Sequence, residues 1–353
     1  MTGLFLTTSR VGNYPEAVCR LNSAFAVELG TQSFFHVGRG YALLFQVTLA
    51  TTLVVVRQTG TSRNQSANHN VFFQAAQVIT LTGNRTFGEY PGGFLERSRR
   101  NERLGGQGSL GENEGCEHAP DRIIACLKES IWSSENGKPL NFEVVDSGVT
   151  AQDSAEDLHA KLGKIDGDFF LGGDHSITYG LFKRFAQEHE NPGLILFDAH
   201  PECYKVFDYP SHGDWLQRLV DEGTLKPQNI IIVGLRSFEK SELDYLKSKG
   251  IRYYTMKQLF YNIPNVCDSI MELSQPFDAC YLSIDVDVLD PSCAPGTGYP
   301  EPGGLTTREL LYFLQRFTHL KNLKQVDLVE VNPSKDVSNM TVKVAAKIVG
   351  EFM

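Results

Sequence analysis

The feature that most constrains this chain is an apolar run that ends in carboxylates. Residues 279–284 read Ala-Cys-Tyr-Leu-Ser-Ile, a pattern typical of a buried strand, and Asp285, Asp287 and Asp290 follow within six residues. A Pro- and Gly-rich loop comes next, so the strand must end there. Carboxylates at the end of a buried strand cost free energy unless they are paired or bind a metal ion. The stretch therefore predicts a functional site.

From about residue 120 onward the chain alternates apolar strands with helices. The predicted strands span 142–145, 168–171, 194–197, 230–233, 279–284 and 326–329, and helices are predicted between them. Strands of near-continuous apolar character separated by helices predict an α/β fold, in which a parallel sheet is covered by helices on both faces. In such sheets, ligands bind beyond the carboxyl ends of the strands.

Carboxylates and histidines follow four of these strands at the point where each one ends. They are His175, Asp198, His200, Glu202, Asp285, Asp287 and Glu330. Because alternate residues of an extended chain point to one side, the spacing of Asp198, His200 and Glu202 aims their side chains together. An isolated Asp-x-His pair is more often a hydrogen-bonded loop, so the prediction of a site depends on the four clusters together.

Two histidines and four carboxylates are enough to hold two divalent ions that share carboxylates. Imidazole mixed with hard oxygen ligands favours manganese over a thiolate-type zinc site, with cobalt, iron or nickel as alternatives. Two such ions lower the pKa of water, so that hydroxide is available near neutral pH. The sequence therefore predicts a centre with two Mn²⁺ ions per chain.

The composition excludes several classes of function. A net charge of −9 leaves no basic excess for general binding to nucleic acid. The seven cysteines include no C-x-x-C pair, which indicates reduced thiols in a cytoplasmic protein. The longest apolar run, 41–56, is interrupted by polar residues and is too short to span a bilayer comfortably. We therefore expect a cytoplasmic protein with neither nucleic acid nor membrane as a partner.

The amino-terminal segment 1–108 differs in composition from 109–353. The first lysine of the chain is Lys128 and the first aspartate is Asp121, whereas eleven of the seventeen arginines lie at or before Arg122. Three interpretations remain open for 1–108: an accessory domain, a weakly ordered extension, or translation upstream of the native start. We favour the last two together, and we place the catalytic domain at 109–353.

Five motifs resemble the signatures of the ureohydrolases, the arginase/agmatinase family. They are GGDHS at 172–176, DAH at 198–200, SIDVDVLDP at 283–291, APGTG at 294–298 and EVNP at 330–333. The resemblance covers about 110–353 and follows the family's order. It implies a three-layer α/β/α fold with a mostly parallel central sheet, a dimanganese centre, and hydrolysis of a guanidino group to urea and an amine. It also implies a homo-trimer or homo-hexamer.

The resemblance implies a role for each matching residue. One metal would be held by His175, Asp198, Glu202 and Asp285, and the other by Asp198, His200, Asp285 and Asp287, with Asp198 and Asp285 bridging. Asp287 would also steady the tetrahedral intermediate and pass a proton to the leaving amine. His212 would shuttle protons, and Glu330 would pair with the guanidinium of the substrate.

The chain departs from the family pattern at several positions. Glu202 stands where the family has aspartate, which changes the reach of that ligand. Tyr299 stands where a small hydroxyl residue is usual, and a phenol there would narrow the pocket. The loop 203–210 lacks the Asn- and Ser-rich segment of arginases, and its spacing to His212 is closer to agmatinases. The family's first strand is either missing or formed by 71–80.

The leading interpretation is an agmatinase-like ureohydrolase that acts on a small guanidino or amidine substrate. A related dinuclear amidohydrolase, acting on formimidoylglutamate or an acylated polyamine, would use the same chemistry. A non-catalytic member of the family is a third alternative, and only Glu202 and Tyr299 favour it. Urea release from a guanidino compound distinguishes the first interpretation from the other two.

Overall fold

The computed structural model describes residues 5–11, 14–20, 26–29, 33–36, 79–82, 113–149, 153–204 and 208–353. The chain divides into two compact units, Met1–His69 and Asn70–Met353. In the first unit, β1 (Phe5–Val11) pairs antiparallel with β2 (Tyr14–Arg20), and β3 (Ala26–Leu29) with β4 (Ser33–His36). Most of 1–108 lies outside the described residues, so the predicted boundary near residue 108 stays a prediction.

The second unit contains one eight-stranded sheet. Its strands are β5 (Ile79–Thr82), β6 (Glu143–Asp146), β7 (Phe169–Leu171), β8 (Pro192–Phe197), β9 (Ile230–Leu235), β10 (Arg252–Thr255), β11 (Ala279–Asp285) and β12 (Leu323–Val329). They lie in the order β10-β9-β8-β11-β12-β7-β5-β6. The six strands from β10 to β7 are parallel, and β5 runs antiparallel to both of its neighbours. The predicted mostly parallel sheet is confirmed.

Helices cover both faces of this sheet. They are α1 (Ala119–Ser130), α2 (Ala155–Leu162), α3 (Ile177–Gln187), α4 (Trp215–Asp221), α5 (Lys240–Lys249), α6 (Met256–Tyr261), α7 (Ile263–Ser274), α8 (Thr307–Phe317) and α9 (Met340–Phe352). One apolar cluster joins the sheet to α1 and α6–α9, and a second joins it to α2–α5. Within β11, Leu282 and Ile284 belong to the first cluster and Tyr281 to the second. The three-layer α/β/α prediction is confirmed.

Three elements of the sheet unit were not predicted. The edge strand β10 and the helices α6 and α7 fill 252–274, where we predicted no element. Thr255 and Gln258 form a capping box at the start of α6, and Asn262 caps α7 directly afterwards. Two short helices in succession give a weaker periodic signal than one long helix. Strand β5 overlaps the end of 71–80, which was one of the two alternatives for the first strand.

The described part of the chain contains no helix with the length and apolar character needed to cross a membrane. The cysteines whose side chains are described are all free thiols: Cys116, Cys126, Cys203, Cys267, Cys280 and Cys293.

A buried carboxylate ties β12 to the rest of the core. Asp327 accepts hydrogen bonds from the hydroxyls of Thr178 (2.8 Å), Tyr281 (2.8 Å) and Ser283 (2.6 Å). All four side chains are fully buried. Buried polar groups are tolerated when they are hydrogen-bonded to one another, so this cluster stabilises the fold only as a complete set.

We therefore expect Asp327→Ala to lower the free energy of unfolding by about 3 kcal/mol or more, because it leaves three buried hydroxyls without their acceptor. Urea unfolding followed by circular dichroism measures this loss. Asp278→Ala is the matched control, since Asp278 also accepts from three groups: the exposed backbone amides of Glu190 and Asn191 and the partly buried amide of Ala279. Water can replace that acceptor, so the loss should be smaller. Equal losses in the two variants would contradict this account.

Candidate metal centre

The six predicted metal ligands come together at the carboxyl ends of three strands. His175 lies in the turn between β7 and α3, Asp198 directly follows β8, and Asp285 ends β11. Strands β8 and β11 are hydrogen-bonded neighbours, which brings their carboxyl ends side by side. The loops that follow carry the other three ligands, His200, Glu202 and Asp287. The predicted position of the site at this edge of the sheet agrees with the geometry.

Two groups of potential ligands share one carboxylate. The ligand atoms of His175, Asp198 and Glu202 lie within 4.8 Å of one another, and so do those of Asp198, His200 and Asp287. Asp198 belongs to both groups. Asp285 lies beside the first group, with its Oδ2 3.1 Å from His175 Nδ1. These residues could hold two metal ions with Asp198 between them.

The two oxygens of Asp198 face different histidines. Its Oδ2 lies 3.3 Å from His175 Nδ1, and its Oδ1 lies 3.5 Å from His200 Nδ1. His200 Nδ1 is also 2.9 Å from Asp287 Oδ2. A carboxylate that turns one oxygen to each group has the geometry needed to bridge two ions.

The far side of the His175 ring is held by the cluster around Asp327. His175 Nε2 lies 2.9 Å from Ser283 Oγ, and that hydroxyl donates to Asp327. A polar partner on one ring nitrogen orients the ring and leaves the other nitrogen for a metal. Ser283 and Asp327 were not predicted as site residues. Their one sequence signal is that each is a polar residue inside an apolar strand.

The buried polar atoms of the centre fit divalent cations. His175 Nδ1, Asp198 Oδ2 and Glu202 Oε2 are buried and make no hydrogen bond. Burial, followed by the charge of Asp198, holds the pKa of Glu202 well above its usual range. Burial, followed by the charges of Asp287 and Asp198, does the same for the pKa of Asp285. Crowded carboxylates of this kind resist ionisation without a cation, so the donor set is suited to metal.

Two glutamates of the site have left-handed backbone conformations. The φ angle is 58° at Glu202 and 63° at Glu330. For a residue other than glycine, this conformation costs about 1–2 kcal/mol of free energy, and such strain concentrates at functional sites. The conformation directs Glu202 into the first ligand group, so its longer side chain reaches the carboxylate and histidine around it.

Glu330 is buried, and both of its carboxylate oxygens are occupied. Its Oε1 accepts the backbone N–H of His175 at 2.7 Å, and its Oε2 accepts the side-chain amide of Asn113. Asn113 was not predicted as a site residue. Nothing in the local sequence relates Asn113 to Glu330.

His212 and Tyr299 lie at the mouth of the site. The ring centroid of Tyr299 is 5.6 Å from that of His212 and 6.2 Å from that of His200. The prediction that Tyr299 narrows the pocket agrees with this position. Burial, followed by the charges of the other two histidines, lowers the pKa of His212 to about 4. Its imidazole is therefore neutral near pH 7.

Arg236 holds the backbone that carries Asp287. Its guanidinium donates to the backbone carbonyls of Asp287 (2.5 Å), Leu289 (3.2 Å) and Glu301 (2.7 Å). A planar group with several fixed donors suits this task better than a lysine would. Arg236 thereby ties the end of β9 to the loop that follows β11.

A cavity of about 630 Å³ opens over the ligands. It is lined by His200, Glu202, Tyr204, His212, Gly213, Ser237, Phe238, Glu239, Glu242, Asp285, Asp287, Tyr299 and Glu330. This volume admits a small molecule. Among the described residues, acids and aromatic rings line the cavity, whereas neither lysine nor arginine does. The cavity therefore suits a cationic ligand.

Comparison with known proteins identifies relatives of the sheet unit. Residues 107–353 match the family model described as Arginase family. The arginase of Staphylococcus aureus (strain MRSA252) is 33% identical over 247 residues, which cover 65% of this chain and 81% of that protein.

Two solved structures from Bacillus subtilis share the fold. The match to the arginase has a TM-score of 0.60 at 29% sequence identity, and it covers 68% of this chain and 92% of the arginase chain. The match to the formimidoylglutamase has a TM-score of 0.61 at 29% sequence identity, and it covers 70% of this chain and 81% of the formimidoylglutamase chain.

Proposed function

The chain belongs to the arginase family, whose members are hydrolases of C–N bonds in amidines, and on this premise we propose that it is a dimanganese ureohydrolase. Its preferred substrate is a linear guanidino amine such as agmatine, which water cleaves to urea and the diamine putrescine. The observation that carries the proposal is the pair of ligand groups that share Asp198 beneath the cavity.

The metal site would be held by the residues that the geometry brings together: His175, Asp198, Glu202 and Asp285 on one side, and Asp198, His200, Asp285 and Asp287 on the other. Imidazole with several carboxylates favours Mn²⁺ among divalent ions. When bound, two such ions would make hydroxide available near neutral pH for attack on the guanidinium carbon.

The protein side chains supply binding and proton transfer. Glu330 pairs with the planar guanidinium of the substrate, for which a carboxylate is the natural partner. Asp287 Oδ1 is fixed by the backbone N–H of Ala199 at 3.0 Å. From that position Asp287 would accept a proton from the attacking water and pass it to the leaving amine as the C–N bond breaks. His212, neutral at the mouth, exchanges protons with solvent.

The acidic entrance favours a substrate with a second positive charge. Glu239 and Glu242 line the cavity from the start of α5, and neither belongs to the two ligand groups. An amine at the far end of a guanidino compound would meet these carboxylates, whereas the dicarboxylate formimidoylglutamate would be repelled. Tyr299 further favours an unbranched chain over a bulky one.

Arginine is the second candidate, because the Staphylococcus aureus relative is named an arginase. Its α-ammonium would suit Glu239 and Glu242. Its carboxylate, however, would find no lysine or arginine among the described residues that line the cavity. We therefore place arginine below agmatine.

The test is to load the purified chain with manganese, count the metal, and assay urea release. Agmatine, arginine, other linear guanidino compounds and formimidoylglutamate form the panel. We expect close to two Mn²⁺ per chain and the highest kcat/KM for agmatine, with chelator-treated protein as the control. Two bound metals without urea from any compound would refute the proposal. Size-exclusion chromatography with light scattering tests the expected trimer or hexamer.

A further inference from the structure

We propose that Asn113 is a positioning residue that sets the orientation of the Glu330 carboxylate for recognition of the guanidinium group. The inference rests on the proposed function, because it assigns Asn113 to the same substrate site. Asn113 lies just before α1, far from the other site residues along the chain, and its side chain is fully buried.

The Glu330 carboxylate is held by one donor on each oxygen. The Asn113 amide Nδ2 donates to Oε2, and the backbone N–H of His175 donates to Oε1 at 2.7 Å. Two donors on opposite oxygens fix the plane of a carboxylate, which a single donor leaves free to rotate. Each oxygen retains a second lone pair, so the fixed carboxylate can still accept from a guanidinium.

The orientation of this plane matters for a planar cation. A guanidinium binds a carboxylate best through two parallel hydrogen bonds, which require the two planes to coincide. Glu330 begins from a left-handed backbone conformation, with φ at 63°. The two donors on its carboxylate hold the side chain in one direction. An ammonium, as a compact point charge, makes no such demand.

Asn113 is itself held in the orientation that this role requires. Its Oδ1 accepts from Asn332 Nδ2 at 2.7 Å, so Nδ2 is the atom that faces Glu330. Asn332 Oδ1 accepts the backbone N–H of Ser334 at 2.9 Å, which fixes that amide in turn. The network therefore places the Nδ2 donor of Asn113, and not its Oδ1 acceptor, against the carboxylate of Glu330.

The same residue supports the opposite wall of the pocket. A methyl group on Gly298 would lie 2.7 Å from Asn113 Cβ, so the backbone of Gly298 packs directly on Asn113. Tyr299 is the next residue. Asn113 thus contacts the residue that precedes the Tyr299 ring as well as the Glu330 side chain.

The experiment compares Asn113→Leu and Asn113→Ala in the manganese-loaded full chain. Leucine keeps the number and branching of the side-chain heavy atoms of asparagine, although it is bulkier, and it removes the donor; alanine removes both the branch and the donor. Asn229→Leu is the matched control, because Asn229 is also buried and donates to Pro192 O (2.9 Å) and Asn191 Oδ1 (3.0 Å) at the opposite end of the sheet. Two manganese ions per chain should be retained in all three variants.

Ligand binding separates positioning from general damage to the fold. In the Asp287→Asn background, in which turnover is expected to be slow, calorimetry measures Kd for agmatine and for putrescine, which lacks the guanidinium. We expect the Kd for agmatine to rise roughly 10- to 100-fold in both Asn113 variants, which is the effect of losing a hydrogen bond to a charged group. Putrescine affinity should change less than about threefold. With Asp287 intact, the KM for agmatine should rise more than kcat falls.

An unchanged ratio of agmatine to putrescine affinity in both variants would overturn the inference, whether the two ligands keep their affinities or lose them equally. A change in this ratio of the same size in Asn229→Leu would also overturn it. A parent chain that releases no urea from agmatine would refute the proposed function on its own, whereas the role of Asn113 is decided by the affinity ratio.

Discussion

Asp287→Asn is expected to lower kcat for urea release by about 10²–10⁴-fold, the range over which a positioned acid or base contributes to catalysis. Asparagine has the same size and can still accept the Ala199 N–H, which lies 3.0 Å from Asp287 Oδ1. It cannot hold and release a proton at neutral pH. The fold and the KM for the guanidino substrate should therefore change little, and steady-state kinetics with thermal unfolding measures both.

Asp290→Asn is the matched control for this variant. Asp290 lies in the loop that follows β11, as Asp287 does. Its carboxylate accepts hydrogen bonds from the backbone N–H groups of Ser292 (3.0 Å) and Gly303 (2.7 Å), as that of a turn residue does. Ser292 donates to Oδ1 and Gly303 to Oδ2, so asparagine, which has one acceptor oxygen, keeps only one of these exposed bonds. Water can serve the other N–H group, so activity should stay within a few-fold of the parent. A normal kcat in Asp287→Asn would remove Asp287 from proton transfer.

The second large effect is expected from Asp198→Ala, because Asp198 is the carboxylate shared by the two ligand groups. Bound manganese should fall from close to two ions per chain to one or fewer after dialysis, and urea release should fall to background. Asp278→Ala, at the opposite end of β11, should keep both ions. Elemental analysis counts the metal.

Thermal unfolding gives an independent measure of the same loss. Because a ligand that binds the folded state stabilises it, added manganese should raise the Tm of the parent chain and of Asp278→Ala. The rise should be reduced or absent in Asp198→Ala. Two tightly bound ions in Asp198→Ala would show that the ions do not depend on this carboxylate.

The location of the site could be predicted from the sequence because the acids interrupt apolar strands. Asp285 and Asp198 each follow a run of buried residues, and parallel strands bring such ends to one edge of the sheet. Periodicity alone thus predicted the fold class and the edge. The assignment of individual roles came from the resemblance to the family, since spacing does not distinguish a bridging ligand from a terminal one.

The supporting residues could not be predicted, because their partners are remote in sequence. Asn113 and Glu330 are 217 residues apart, and Asn113 stands in a polar segment with no periodic pattern. Arg236 contacts the loop after β11 through backbone carbonyls, which have no sequence signature. Glu239 and Glu242 resemble an ordinary capping box of α5, and only the fold turns them toward the cavity.

The most direct test of the dinuclear centre is anomalous diffraction at the manganese edge from crystals of the manganese-loaded chain. The account predicts two anomalous peaks per chain between the ends of β8 and β11, with Asp198 in contact with both ions. One of them should also contact His175 and Glu202, and the other His200 and Asp287. A single peak, or two peaks that do not share Asp198, would contradict it.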